Sequence, residues 1–296
     1  MIGFFLVNLL PPGRPLQFEV RTPSGVWRFS RASNFLDLEE QILARGVCGN
    51  TYSMEFTLPT EGMREVTKES AFYETLPICL AASFVSGSAV TVQRSLPHSE
   101  IKLLSTSSQF PRARGIGDPA SCVNTLDEFI QFVERFVAEY PQLYPTEKLV
   151  LLSHLFIDAC ACWSLENLYL SGSTMLQVIA ETEKSTGRPF SANHAAARAP
   201  QQRAPKAAFF DYLAGAADRV GITALTHDVV KIRNSLIHAG TLNMPPFSSQ
   251  ADAADPISEA MNWIDTYVYA VLQLGPVPQA RYKPRDLALA LNSFSF

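Results

Sequence analysis

The chain is poor in the side chains that most readily reveal a protein's chemistry. Its 296 residues include five histidines and five cysteines. The cysteines, Cys48, Cys79, Cys122, Cys160 and Cys162, form no Cys-x-x-Cys pair and no His–Cys ligand spacing, which excludes zinc ribbons and thioredoxin-like redox motifs. Odd in number and scattered, they fit buried thiols in a reducing compartment. Charge is also scarce, at 18% of residues with a formal net charge of −4. Residues before Pro119 are neutral as a set and those after it carry the whole −4. Nothing global therefore attracts a polyanion, and any contact with nucleic acid has to be local. No apolar run approaches the roughly twenty residues a membrane-spanning helix needs. The opening stretch, Met1 to Arg14, lacks a basic start and an Ala-x-Ala-like cleavage site, so a first β-strand is expected there and not a secretory leader. The expected setting is a soluble, cytoplasmic protein without a membrane partner.

Apolar residues make up 47% of the chain, enough for a substantial core. The texture changes along it. Gln17 to Ser30 alternates apolar and polar residues around Pro23-Ser24-Gly25, the pattern of a hairpin. Tyr52 to Leu58 and Ala89 to Gln93 alternate likewise, and Phe35 to Arg45 fits a short helix. Residues 1–115 are therefore expected to form a small β-rich domain. Arg21, Arg28 and Arg31 lie on or near its hairpin, as a solvated face or a surface for a trigger ligand. Ser105 to Ser121 has the composition of a linker.

From Thr125 the period becomes helical. Leu126, Phe129, Ile130, Val133 and Val137 mark a helix expected to end near Tyr140-Pro141. Leu149, Leu152, Phe156, Cys160 and Trp163 mark a second, longer one running through Leu168 towards Ile179. Further helices are expected over Lys206 to Val220, Ala224 to Ala239 and Pro256 to Leu274, with Ser185 to Pro205 as a loop. The fold class is thus α+β in two domains, with an all-α antiparallel bundle over residues 122–296.

The helix Ala224 to Ala239 carries the chemistry. His227, Lys231, Asn234 and His238 are spaced by four, three and four residues, so they share one face. Leu225, Val229, Ile232 and Leu236 occupy the opposite face, and Arg233 lies on the flank of the polar stripe. A core helix does not usually line up two imidazoles, an amide and an ammonium beside a guanidinium.

Arg233-Asn234-Ser235-Leu236-Ile237-His238 resembles the signature of the HEPN superfamily, α-helical domains found in many prokaryotic RNA-cutting toxins and defence proteins. That signature is an Arg, often followed by Asn, and a His after four to six intervening residues. The resemblance covers roughly residues 140–280. It implies a metal-independent ribonuclease in which Arg233, Asn234 and His238 are catalytic. Glu166, within Ser164-Leu-Glu-Asn-Leu-Tyr169, would supply the acidic position that often faces the motif. Such chemistry is self-consistent. RNA brings its own nucleophile in the 2′-hydroxyl, histidine serves as base or acid near neutrality, and the arginine fork matches phosphate oxygens. A 2′,3′-cyclic phosphate and a 5′-hydroxyl are the expected products. One motif offers one histidine, and HEPN nucleases commonly pair, so a homodimer with a composite cleft is expected. Lys231, His227, Arg198 and Arg203 are the expected RNA contacts, the last two from the basic run Lys184 to Lys206. His154 and Asp158 lack a third ligand, and neither metal nor cofactor is expected. The alternative is a non-catalytic HEPN-like module that binds nucleotide or RNA, or only dimerises. An antitoxin or trigger ligand would act on the N-terminal domain.

Overall fold

The computed structural model describes residues 2–45, 48–57, 67–96, 121–162, 164–187, 209–239, 242 and 250–292. Side chains at 45, 235, 237–239, 250–251 and 289–292 lie outside that description, as does most of the expected linker. The chain is α+β, and its contacts gather it into two compact units.

The first unit is built on five strands, β1 (Ile2–Val7), β2 (Gln17–Thr22), β3 (Gly25–Arg31), β4 (Asn50–Thr57) and β5 (Thr91–Leu96). They lie in the order β2-β3-β4-β1-β5, every pair antiparallel. Alternation along the strands sorts the side chains. Phe18, Val20, Trp27, Phe29, Met54 and Phe4 are buried, whereas Glu19 and Arg28 project outward and pair at 3.1 Å. The expected hairpin is present, with Thr22 opposite Gly25 across a two-residue turn. Gly25 is required by space. A Cβ there would stand 2.8 Å from both the Phe56 ring and the Thr57 carbonyl oxygen.

Two helices connect strands, α1 (Phe35–Arg45) between the neighbours β3 and β4 and α2 (Lys68–Ser86) between β4 and β5, which flank β1. The first was expected; the second falls in a stretch whose pattern suggested only strands and turns. Thr67 caps α2 by accepting from the Ser70 amide at 3.1 Å, and Gly87 ends it at φ 64°. The helix is buried on nearly every side, at Ala71, Thr75, Ile78, Cys79, Ala81, Ala82, Phe84 and Val85, so it shows no amphipathic period. A third helix, α3 (Leu126–Thr146), packs with the sheet. Its Phe132 stacks on Phe84 at 5.7 Å and its Phe129 meets the edge of Phe18 at 6.1 Å. Its Glu134 carboxylate accepts from the Arg21 amide at 2.7 Å, covering an open position of the edge strand β2. The contacts thus divide the chain differently from the composition, with α3 grouped through Leu143 with the sheet. The helix also continues beyond Pro141, which has no N–H to give the ladder.

The second unit is helical, with α4 (Leu149–Cys160), α5 (Leu165–Ser185), α6 (Phe209–Val220), α7 (His227–Ala239), α8 (Gln250–Val271) and α9 (Pro284–Asn292). The single long helix expected from Leu149 onward is two helices. The backbone breaks after Cys160, and Ser164 starts α5 by accepting from the Asn167 amide at 3.2 Å. Helix α5 is the hub, packing against α4, α6, α7 and α8. Its Gly172 sits where a Cβ would come within 2.8 Å of Met261 Sδ on α8.

Polar side chains in this interior are tightly matched. Arg219 of α6 binds Glu147 with two nitrogens at 2.9 and 3.0 Å, Glu183 at 2.7 Å and the Tyr267 hydroxyl oxygen at 2.7 Å. Tyr267 in turn donates to Glu147 at 2.6 Å. Burial opposes the Arg219 charge, but Tyr267, Glu147 and Glu183 around it raise its pKa above the usual range. Arg281 and Asp265 form a second, fully buried pair at 3.0 Å, with the guanidinium over the Phe156 ring.

Candidate functional site

Helix α7 needs two supports to present its motif. Its apolar stripe is one. Leu225, Val229, Ile232 and Leu236 are all buried, so the helix lies with that face against α5 and α8. The other is at its start, where the Glu259 carboxylate of α8 accepts from the Thr226 amide at 2.7 Å and from its hydroxyl at 2.6 Å. A carboxylate placed at a helix N-terminus also satisfies the positive end of the dipole. With the apolar side fixed inward, His227, Lys231 and Asn234 are exposed together, as their spacing requires.

Arg233 is half-buried at the edge of that face. Its Nη2 donates to Gln177 Oε1 of α5 at 3.5 Å, and its guanidinium lies 4.9 Å from the centroid of the Phe209 ring. Its Nε is buried and has no hydrogen-bond partner among the described residues. The other two interior arginines of the helical unit differ, while Arg94 of β5 likewise has a buried Nε without a partner among the described residues and lies over an aromatic ring, that of Phe5. Arg219 and Arg281 are each matched to carboxylates at 2.7 to 3.2 Å, whereas Arg233 meets a neutral amide and an aromatic face. A cation drawn out of water without a counter-charge is costly, and among the described residues this half-buried one has no carboxylate partner.

Tyr169 of α5 completes the support. Its hydroxyl donates to the Val229 carbonyl oxygen and also contacts the Arg233 backbone. Val229 and Arg233 are the two ends of one helical ladder bond, so the tyrosine braces the turn that carries the arginine. Burial pushes the Tyr169 hydroxyl pKa up, partly offset by the Arg233 charge.

The remaining expected residues fall as follows. Lys231 pairs with Asp228 at 2.7 Å, both about half exposed. The His227 imidazole stacks on the Phe210 ring, with centroids 4.1 Å apart and planes 20° from parallel. Glu166 is in the first turn of α5, eleven residues before Gln177 and about 16 Å away along the helix axis. The α5 side chain that reaches Arg233 is thus Gln177. His238 is on α7, but its side chain lies outside the described residues, as do Arg198 and Arg203. Lys184 of the basic run is described, and it pairs with Glu181 at 3.1 Å. Gln177, Tyr169, Phe209 and Phe210 were not singled out by spacing. The one available cue was Tyr169, a large side chain with a polar tip in an otherwise buried stripe, which normally has a hydrogen-bond partner.

Among the described residues no group of three or more His, Cys, Asp or Glu could hold a metal ion, and no helix is long and apolar enough to cross a membrane. Comparison with family models, with curated proteins and with solved structures returned no match to this chain.

Proposed function

We propose that the Arg233-Asn234-x-x-x-His238 helix belongs to a HEPN-type endoribonuclease that cleaves RNA without a metal, in the role of a toxin or antiphage effector. The observation carrying this reading is Arg233: a half-buried guanidinium held by Gln177 and Phe209, with no carboxylate partner among the described residues. A phosphate is the ligand that meets both its charge and its fork geometry. Asn234, exposed on the adjoining face, donates to the same phosphate or orients the histidine. His238 then takes the 2′-hydroxyl proton as base, the 2′-oxygen attacks the phosphorus, and the 5′-oxygen leaves with a proton from an acid. A second copy of the chain supplies that acid as its own motif histidine, so the active form is a homodimer. The sheet unit is where a trigger or antitoxin acts.

The test is incubation of the purified protein with tRNA and total RNA in EDTA. Expected are fragments with 2′,3′-cyclic phosphate ends, with cleavage falling by about 100-fold or more in Arg233→Ala and His238→Ala, the scale of lost acid–base or phosphate catalysis. Intact RNA from a dimeric protein, or equal cutting by His238→Ala, overturns the nuclease and leaves a binding or dimerisation module.

A further inference from the structure

We infer that Phe210 and His227 form a stacking platform for one unpaired base, so that the substrate is single-stranded or looped RNA and not duplex. This rests on the ribonuclease reading and specifies its substrate. The two rings lie almost parallel at stacking distance, on different helices, and His227 is exposed. Phe210 covers one face of the imidazole, and His227 remains exposed. The platform is next to the phosphate-binding arginine by construction. Phe209 and Phe210 are consecutive, and each lies against one α7 side chain, Arg233 and His227 respectively. Those two positions are about 9 Å apart along the helix axis, so base and phosphate contacts fall within one stretch of α7.

Charge argues for the same substrate. Duplex RNA hides its base faces and is held mainly through phosphates and 2′-hydroxyls, which requires a positive surface. This chain carries −4, and Lys231, one turn along from His227, is already matched by Asp228. Stacking needs no charge excess, and every unpaired base offers a face.

The decisive measurement is fluorescence anisotropy with a short 2′-O-methyl RNA, which cannot be cut, as the single strand and annealed to its complement. Wild type is expected to favour the single strand by about tenfold. Phe210→Ala and His227→Ala should each weaken single-strand binding by about tenfold, the scale of one base–aromatic stack. Phe210→Trp should retain it, and duplex binding should not respond to any of them. Equal affinity for both forms, or wild-type single-strand binding by His227→Ala, overturns the platform. His227 is exposed, so its variant still tests the platform if Phe210→Ala fails to fold. The two readings fail separately. Platform-dependent binding without cleavage sinks the nuclease, and Arg233-dependent cleavage with KM unchanged in His227→Ala sinks the platform.

Discussion

The Tyr169 hydroxyl donates to the Val229 carbonyl oxygen one helical turn below Arg233, and it touches the Arg233 backbone as well. A side chain from α5 thereby sets the height and rotation of the motif arginine. Tyr169→Phe keeps the ring and removes that brace. It should cost about 1 kcal/mol of stability, the usual value of one hydrogen bond, and lower kcat for RNA with little change in KM. Denaturant unfolding and steady-state kinetics check the two parts. A variant with wild-type kcat would show that Tyr169 only packs.

Removing Arg219 leaves Glu147 and Glu183 buried without their counter-charge. Arg219→Met is expected to destabilise the helical unit by about 3 kcal/mol, the lower end for breaking a buried pair because the guanidinium retains some exposure. Arg219→Lys should rescue little, since a single ammonium cannot reproduce bonds to Glu147, Glu183 and Tyr267 together. Urea titration of the three proteins tests this, and full rescue by lysine would contradict it.

The hairpin makes a steric demand that is easily checked. Gly25→Ala places a methyl against the Phe56 ring and the Thr57 carbonyl oxygen. Backbone cannot step aside as a flexible side chain can, so a loss of about 1–3 kcal/mol is expected. A thermal melt equal to wild type would mean the strands separate without strain.

Burial pushes the Cys79 thiol up to about 12, only partly offset by a hydrogen bond with the Val92 backbone. At pH 8 its thiolate is about one molecule in ten thousand, and the thiolate is the reactive form. Iodoacetamide should therefore leave Cys79 unmodified in the native protein and label it in urea, read by peptide mass spectrometry. Stability depends on pH in the same sense. The folded state keeps the proton where the unfolded chain has lost it, so this site's contribution is complete below the ordinary thiol value of 9.0 and declines as pH rises towards about 12.

The parts of the fold legible in the sequence were those with one wet face. Strands β2 and β3 alternate because Glu19 and Arg28 face solvent while Phe18 and Phe29 do not, and α7 shows its stripe because His227, Lys231 and Asn234 are exposed. Helix α2 was illegible because it has hardly any wet face, and Pro77 within it reads as a helix breaker. The break before α5 was concealed by the apolar run on both sides of it, although Ser164 and Asn167 have the spacing of a cap. At the candidate site the motif was readable as a local pattern. Its supports were not, because Gln177 and Tyr169 meet Arg233 and Val229 only through tertiary packing, 56 and 60 residues away in sequence.

The Arg219 cluster joins residues 36, 48, 72 and 120 positions apart. Closing such long loops is slow and entropically costly, so local helices form before the cluster can assemble. Interactions completed after the folding barrier act mainly on the rate of escape from the native state. In a chevron experiment Arg219→Met should accordingly hasten the loss of the native form by raising the unfolding rate, with refolding nearly unchanged. The cluster is then a latch on the lifetime of the folded helical unit, which bears on how long such a chain persists when proteases sample its open forms.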